Sequence, residues 1–273
     1  MASRLPGNIL WWAACLIIAL ILAGPFVLML LASFERSGTY FISAWDWFPT
    51  TPTLHNYKIL FLRSSVIRWL VNSMIISTVP VMLSTVFALL LGYVFCRKQF
   101  PGRELVFWLF LSALMIPFQV TLAPLYLLMN ALGWIDTYWV LTVPPLLNIT
   151  GIFLMKQFIQ TIPETLEEAA ALDGCSPWQI VRHVIAPLSK PALATLITIG
   201  FIQAWNSLLF PLIFTASESM RPLTVGLATF ADTTGSFGIN MAAATVNFLP
   251  TFFIFLFFQR YFVGGIALGG VKM

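Results

Sequence analysis

Hydrophobic residues in this chain run in long blocks separated by short polar stretches. Six blocks reach the roughly 20 apolar residues that a helix needs to cross a bilayer. They cover residues 9–32, 66–96, 105–129, 137–158, 191–214 and 240–262. Each predicts a membrane-spanning helix, and the second is long enough to tilt or to extend beyond the bilayer. The first block follows Arg4 as a secretion signal would. The run from Ile9 to Ala32 is too long for a signal core and has no small-x-small cleavage site, so it reads as a span. The pattern predicts an all-α integral membrane protein, with residues 1–273 forming a single membrane domain.

One interval departs from this pattern. Over residues 159–190 the chain turns amphipathic and holds four of its ten acidic residues. Thr161-Ile162-Pro163-Glu164 has the form of a capping box, which predicts a short helix from there to Leu172. Gly174 is suited to the left-handed turn that stops such a helix. Ser176-Pro177-Trp178-Gln179 opens a second helix, again with a capping box and with Pro at its first position. Trp178, Val181, Val184 and Ile185 recur at helical spacing on one face, and Pro187 is expected to end the helix. Neither helix is long enough to cross a membrane. The low-profile Ala169, Ala170 and Ala171, beside the carboxylates of Glu167, Glu168 and Asp173, suit the basic cleft of a partner. On the residues alone, the unit is either a docking surface or an amphipathic linker.

Composition sharpens the class. Of 273 residues, 59% are hydrophobic and 9% charged, against about a quarter charged in soluble domains. The net charge of +4 is scattered over segment ends, which excludes a nucleic-acid patch and reports orientation instead. With the N-terminus in the cytoplasm, the inner set is Arg4, Arg97, Lys98, Arg103, Lys156, Arg182, Lys190, Arg260 and Lys272. The outer set is Arg36, Lys58, Arg63, Arg68 and Arg221. This bias predicts an N-in/C-in topology and places residues 159–190 in the cytoplasm. Trp45, Trp47 and Tyr57 in the first outer loop suit either the membrane interface or a docking surface. Cys15, Cys96 and Cys175 give no disulfide framework and no zinc spacing.

Candidate chemistry is sparse. Arg68, Glu104, Asp136, Lys156 and Arg260 all fall near span ends, so no charge sits in mid-membrane to couple protons or ions. Neutral amides do occur in or beside the spans: Asn72, Gln119, Asn148, Gln203, Asn206 and Asn247. They serve either as glue between helices or, with Trp205, as the lining of a path for a hydroxyl-rich solute. Pro25, Pro80, Pro117, Pro124, Pro144, Pro145, Pro211 and Pro250 lie in the spans, and Pro144-Pro145 beside Asn148 is the candidate for a broken helix. The two histidines, His55 and His183, fall outside the spans and no H-E-x-x-H occurs, which argues against an intramembrane hydrolase; no catalytic or metal site is expected. No phosphate-binding Gly-x-x-x-x-Gly-Lys-Ser/Thr loop exists, so the chain does not hydrolyse ATP by that route.

The order Glu168-Ala169-Ala170, Asp173-Gly174-Cys175 and Pro187 resembles the EAA loop of permease subunits in binding-protein-dependent ABC importers. Val184-Ile185-Ala186-Pro187 stands where that pattern has Ile-x-Leu-Pro. Phe201-Ile202-Gln203-Ala204-Trp205-Asn206 with Pro211, the Pro117–Pro124 segment and the Gly264–Gly270 tail are similar to the MalG-type, carbohydrate-uptake subgroup. The resemblance implies that residues 159–190, between spans four and five, are a coupling helix docking on a cytoplasmic ABC ATPase dimer. ATP and Mg would bind to that dimer, and no cofactor to this chain. It further implies a second, MalF-like permease, an extracytoplasmic solute-binding protein, a bacterial or archaeal inner membrane, and an ATPase contact from Val271-Lys272-Met273. The solute would be a sugar or sugar-like molecule. The alternative is a stand-alone channel or secondary carrier for a small polar solute.

Overall fold

The computed structural model describes residues 5–35, 51–234 and 236–269, with side chains placed for 11–35, 51–230 and 236–259. The expectations for Arg4, Arg36, Trp45, Trp47, Gly270 and Val271-Lys272-Met273 lie outside the described residues, as does the side chain of Arg260. Among the described residues the chain is helical throughout. In order, the helices are α1 (Leu5–Ser33), α2 (His55–Arg63), α3 (Val66–Arg97), α4 (Arg103–Ala113), α5 (Phe118–Ala131), α6 (Tyr138–Thr142), α7 (Ile149–Gln160) and α8 (Thr165–Leu172). They are followed by α9 (Pro177–Leu188), α10 (Lys190–Trp205), α11 (Leu209–Phe214), α12 (Leu223–Thr234) and α13 (Phe237–Gly269). Four stretches are long and apolar enough to cross a membrane, and up to six if each sharply bent pair counts as one span.

The predicted spans meet the structure unevenly, and proline explains most of the differences. Span 105–129 is not one rod: α4 ends at Ala113, α5 starts after Pro117, and the two are bent by 98°. Pro117 has no N–H to continue the ladder, and a residue before proline is disfavoured in the helical region. Span 137–158 is broken at Pro144-Pro145, where a 3₁₀ turn, Pro144–Leu146, separates α6 from α7. Span 191–214 divides into α10 and α11 around Asn206-Ser207-Leu208. Asn206 ends α10 by donating from Nδ2 to the Ile202 carbonyl, 2.9 Å away.

The described residues fall into two compact units, 1–67 with 226–249 and 68–225 with 250–273. In the first, the end of α1, the start of α2 and the start of α13 meet at Asn56. Its buried Nδ2 donates to the carbonyls of Ser33 and Glu35. A Cβ on Gly238 would come within 2.6 Å of that same nitrogen, so the approach requires glycine. The second unit holds a core in which α3, α4, α7, α9 and α10 interdigitate, with Ile152, Met155, Ile159 and Ile185 almost wholly buried. Gly92 lets α3 and α7 close up there: a Cβ at that position would lie 2.7 Å from the Met155 Cβ.

Candidate functional site

The residues of 159–190 fold onto the rest of the second unit and do not hang from it. Ile180, Val181 and Ile185 of α9 enter the core formed by α3, α7 and α10. α8 ends in a two-bond glycine turn. The Cys175 N–H reaches the Ala170 carbonyl, the Gly174 N–H reaches the Ala171 carbonyl, and Gly174 takes φ +83°. This hydrogen-bond pair satisfies orphan carbonyls of the last turn. It also brings Ala170 and Cys175 together against the core, which gives both residues a structural role. The Ser176 box forms as the sequence predicts: the Gln179 N–H donates to Ser176 Oγ, and the Ser176 N–H to Gln179 Oε1 at 2.7 Å.

Several expectations for this unit need correction. The Thr161 box does not form. The Thr161 hydroxyl donates back to the Phe158 carbonyl at the end of α7, and α8 starts after Glu164 with no side-chain cap. Pro187 does not end α9, which runs through Leu188. The turn over Val181–Ile185 widens to π spacing, with the Ala186 N–H bonded to the Val181 carbonyl five residues back. Such a widened turn absorbs the N–H that proline lacks and relieves its ring clash. Trp178 does not share the buried face: it is 58% exposed, and Ile180 takes the inward place.

Two surfaces result. Glu168, Ala169, Asp173, Gly174 and Pro187 lie exposed, together with Leu172, which is 89% exposed, and Trp178. Glu167 is on the other side. Its carboxylate accepts from Arg97 Nε at 2.6 Å, and only 12% of its side chain is exposed, so it offers nothing to a basic cleft.

Deeper in the same unit is a cavity of about 610 Å³ between α3, α5, α6, α10, α11 and the turn that precedes α7. Its polar lining is Ser84, Thr121, Asn148, Gln203 and Ser207, and among the described residues no charged side chain lines it. Pro80, Pro145 and Pro211 all line it, as do Ile76, Leu141 and Ser207, the residues four positions earlier. A proline withdraws the N–H that the carbonyl four residues back would otherwise receive. Of the three, Pro145 sits at a break, Pro80 lies inside the continuous α3, and Pro211 is in the first turn of α11.

At the other end of α3 the segment joining α11 to α12 is held tightly. Asn72 donates to the carbonyls of Ser219 and Arg221, Trp69 to that of Glu218, and the Ser73 hydroxyl accepts from the Leu223 N–H. Asp136 sits at φ +59°, and its Oδ1 accepts from the N–H groups of Ala216 and Ser217 at 2.9 and 3.0 Å. Burial pushes the Asp136 carboxyl up. The hydrogen bonds from Ser217 and Ala216, with Arg221 nearby, outweigh burial and hold it below the usual carboxylate value.

Residues 61–267 match the family described as binding-protein-dependent transport system inner membrane component. The chain belongs to that family. The permease is 35% identical over 263 residues to the arabinooligosaccharides transport system permease protein AraQ of Halalkalibacterium halodurans, covering 93% of each chain. It is 32% identical over 203 residues to the sn-glycerol-3-phosphate transport system permease protein UgpE of Brucella abortus, covering 73% of this chain and 72% of that one. Its fold matches a chain of a bacterial ABC transporter involved in the import of the acidic polysaccharide alginate. That match has a TM-score of 0.81 and 22% identity, and covers 96% of this chain and 99% of that one.

The family is one of transport subunits and not of enzymes. Within the permease, the predicted path residues separate. Asn148 and Gln203 line the cavity, and Asn148 also caps α7 by accepting from the Gly151 N–H. Gln119 and Asn206 are exposed and Trp205 is buried against Phe201; none of the three lines it. Asn247 belongs to the first unit. Ser84, Thr121 and Ser207 escaped the sequence reading because single hydroxyls in apolar helices give no periodic signal. The internal role of Arg97 escaped it because a cation at a span end reads as a topology marker.

Proposed function

We propose that this permease forms half of the transmembrane path of an ATP-driven importer for a neutral carbohydrate. It crosses an inner membrane six times with both ends in the cytoplasm, the spans being α1, α3, α4–α5, α6–α7, α10–α11 and α13. A cytoplasmic ABC ATPase dimer, which binds the ATP and Mg, docks on the outward surface of α8 and α9 through Glu168, Asp173, Leu172 and Trp178. A homologous permease completes the path, and an extracytoplasmic binding protein delivers the solute. The observation that carries the reading is the loop itself: a capped, glycine-stopped helical unit whose inner face is sealed into the core and whose outer face is carboxylates, alanine and exposed apolar side chains. A docked partner would cover Leu172 and Trp178, the exposed apolar side chains of that face.

The relatives are named for solutes as different as arabinooligosaccharides and sn-glycerol-3-phosphate. The cavity supports the first kind. Amides and hydroxyls without a cation suit sugar hydroxyls and leave a phosphate unneutralised. The test is gentle purification from the native membrane, followed by uptake in proteoliposomes loaded with ATP. An ATPase, a second permease and uptake of a neutral oligosaccharide are expected. A chain that purifies alone, or a complex that takes up only sn-glycerol-3-phosphate, would refute the reading in its first or second half.

A further inference from the structure

We propose that Arg97 is a positioning residue that pins the docking loop to α3, so that the loop and the cavity-lining helix move as one body. Arg97 is the last residue of α3, yet only 9% of its side chain is exposed. Nε donates to Glu167, Nη1 to Glu164 at 3.1 Å, and Nη2 to the carbonyls of Ile159 and Ile162. The two carbonyls lie at the end of α7 and the start of the loop, and the two carboxylates frame the start of α8. The Tyr93 hydroxyl, one turn back on α3, lies beside Glu167. One planar cation therefore joins three elements, a geometry that an ammonium, with no fork, cannot reproduce.

The pin makes mechanical sense along α3. Its 32 residues span about 48 Å at the helical rise. Arg97 holds one end to the loop, while Ile76, Pro80, Val81 and Ser84 of the same helix form a wall of the cavity. Motion imposed on α8 reaches that wall through the pin. Glu167 and Glu168 are thus neighbours with opposite duties: Glu167 faces inward to α3, and Glu168 outward to the partner.

The inference rests on the coupling reading above, so the test separates the two and needs no solute. Ser84→Cys is introduced into the full transporter, with Cys15, Cys96 and Cys175 replaced by alanine. Its labelling rate by N-ethylmaleimide is measured with and without ATP and vanadate. In that parent, trapping should change the rate by about fivefold or more, the low end of ordinary site-to-site coupling. In Arg97→Lys and in the milder Glu167→Gln, the change should collapse while the ATPase stays bound and hydrolyses ATP. Where Arg97→Lys fails to assemble, Glu167→Gln decides alone. An undiminished response in Glu167→Gln would overturn the pin, and loss of the ATPase from both variants would overturn it in favour of a purely structural role. A parent whose labelling ignores nucleotide would overturn the coupling reading, and the pin with it.

Discussion

Two glycines show how one residue type can matter for unrelated reasons. At Gly174 a Cβ would meet nothing within 4 Å, and the constraint is φ +83°. Gly174→Ala should therefore cost about 1–2 kcal/mol through backbone strain, and Gly174→Asn less, because asparagine tolerates that region. Hydrogen exchange of residues 165–188 would read this as local opening. At Gly92 the backbone is ordinary and space is the constraint, with Met155 Cβ 2.7 Å from the position of a new Cβ. Gly92→Ala should lower the thermal midpoint of the whole unit by separating α3 from α7, as overpacking costs about 1–3 kcal/mol. An unchanged midpoint would show that these helices slide freely. Asp136 carries the acid dependence of the segment joining α11 to α12. Its carboxyl is held below its ordinary 3.8 in the fold, so the stability it contributes is complete above that value and is lost as pH falls through the folded value. In Asp136→Asn, proteolysis within residues 215–222 should be faster than in the parent at neutral pH. The difference should shrink as pH falls below 3.8 and through the lower folded value. The positive-φ glycine and the Ser176 cap were legible in the sequence because both are local. Gly92 and Asp136 act on residues about 60 to 80 positions away, and nothing in their neighbourhoods announces it.

The helices were legible as apolar blocks, and their interruptions less so. Hydropathy reports that a segment prefers lipid and says nothing about whether its ladder is continuous, so 105–129 read as one rod although Pro117 turns it by 98°. Pro144-Pro145 was legible because two adjacent prolines leave a helix no local repair. Pro187 misled in the other direction. A widened turn at Val181–Ile185 absorbs it, and the helix ends one residue later, at Leu188. The Thr161 box failed because α7 claims the hydroxyl first, a competition between neighbouring helices that a four-residue motif does not contain. The Ser176 box faces no such rival. Ser176→Ala should destabilise the start of α9 by about 1 kcal/mol, while Thr161→Ala should leave α8 unaffected. Amide exchange at Trp178–Ile180 and at Thr165–Leu172 would compare the two, and equal effects would mean that the Thr161 hydroxyl does cap α8.

At the scale of the whole molecule, polar groups spread over the chain acquire different meanings from where the fold puts them. Gln119 and Gln203 are the same side chain in similarly apolar surroundings, and the sequence offers no means of ranking them. The fold places Gln203 on the cavity and leaves Gln119 exposed at the first turn of α5. A solute passing through the cavity exchanges water for protein hydrogen bonds, and one such bond is worth about 0.5–1.5 kcal/mol net. Gln203→Ala should therefore reduce uptake of a neutral oligosaccharide by about two- to tenfold. Gln119→Ala, made by the same truncation, should leave uptake unchanged. The comparison avoids Asn148, whose loss would also uncap α7 and confuse path with stability. ATP hydrolysis by the assembled complex serves as the control, since neither glutamine touches α8 or α9. If both variants transport like the parent, the solute runs along surfaces contributed by the partner permease, and this cavity is a space the helices need for moving past one another. If Gln119→Ala alone impairs uptake, the path follows the exposed face of α5 instead, and the proline-broken wall around Gln203 would be scaffold.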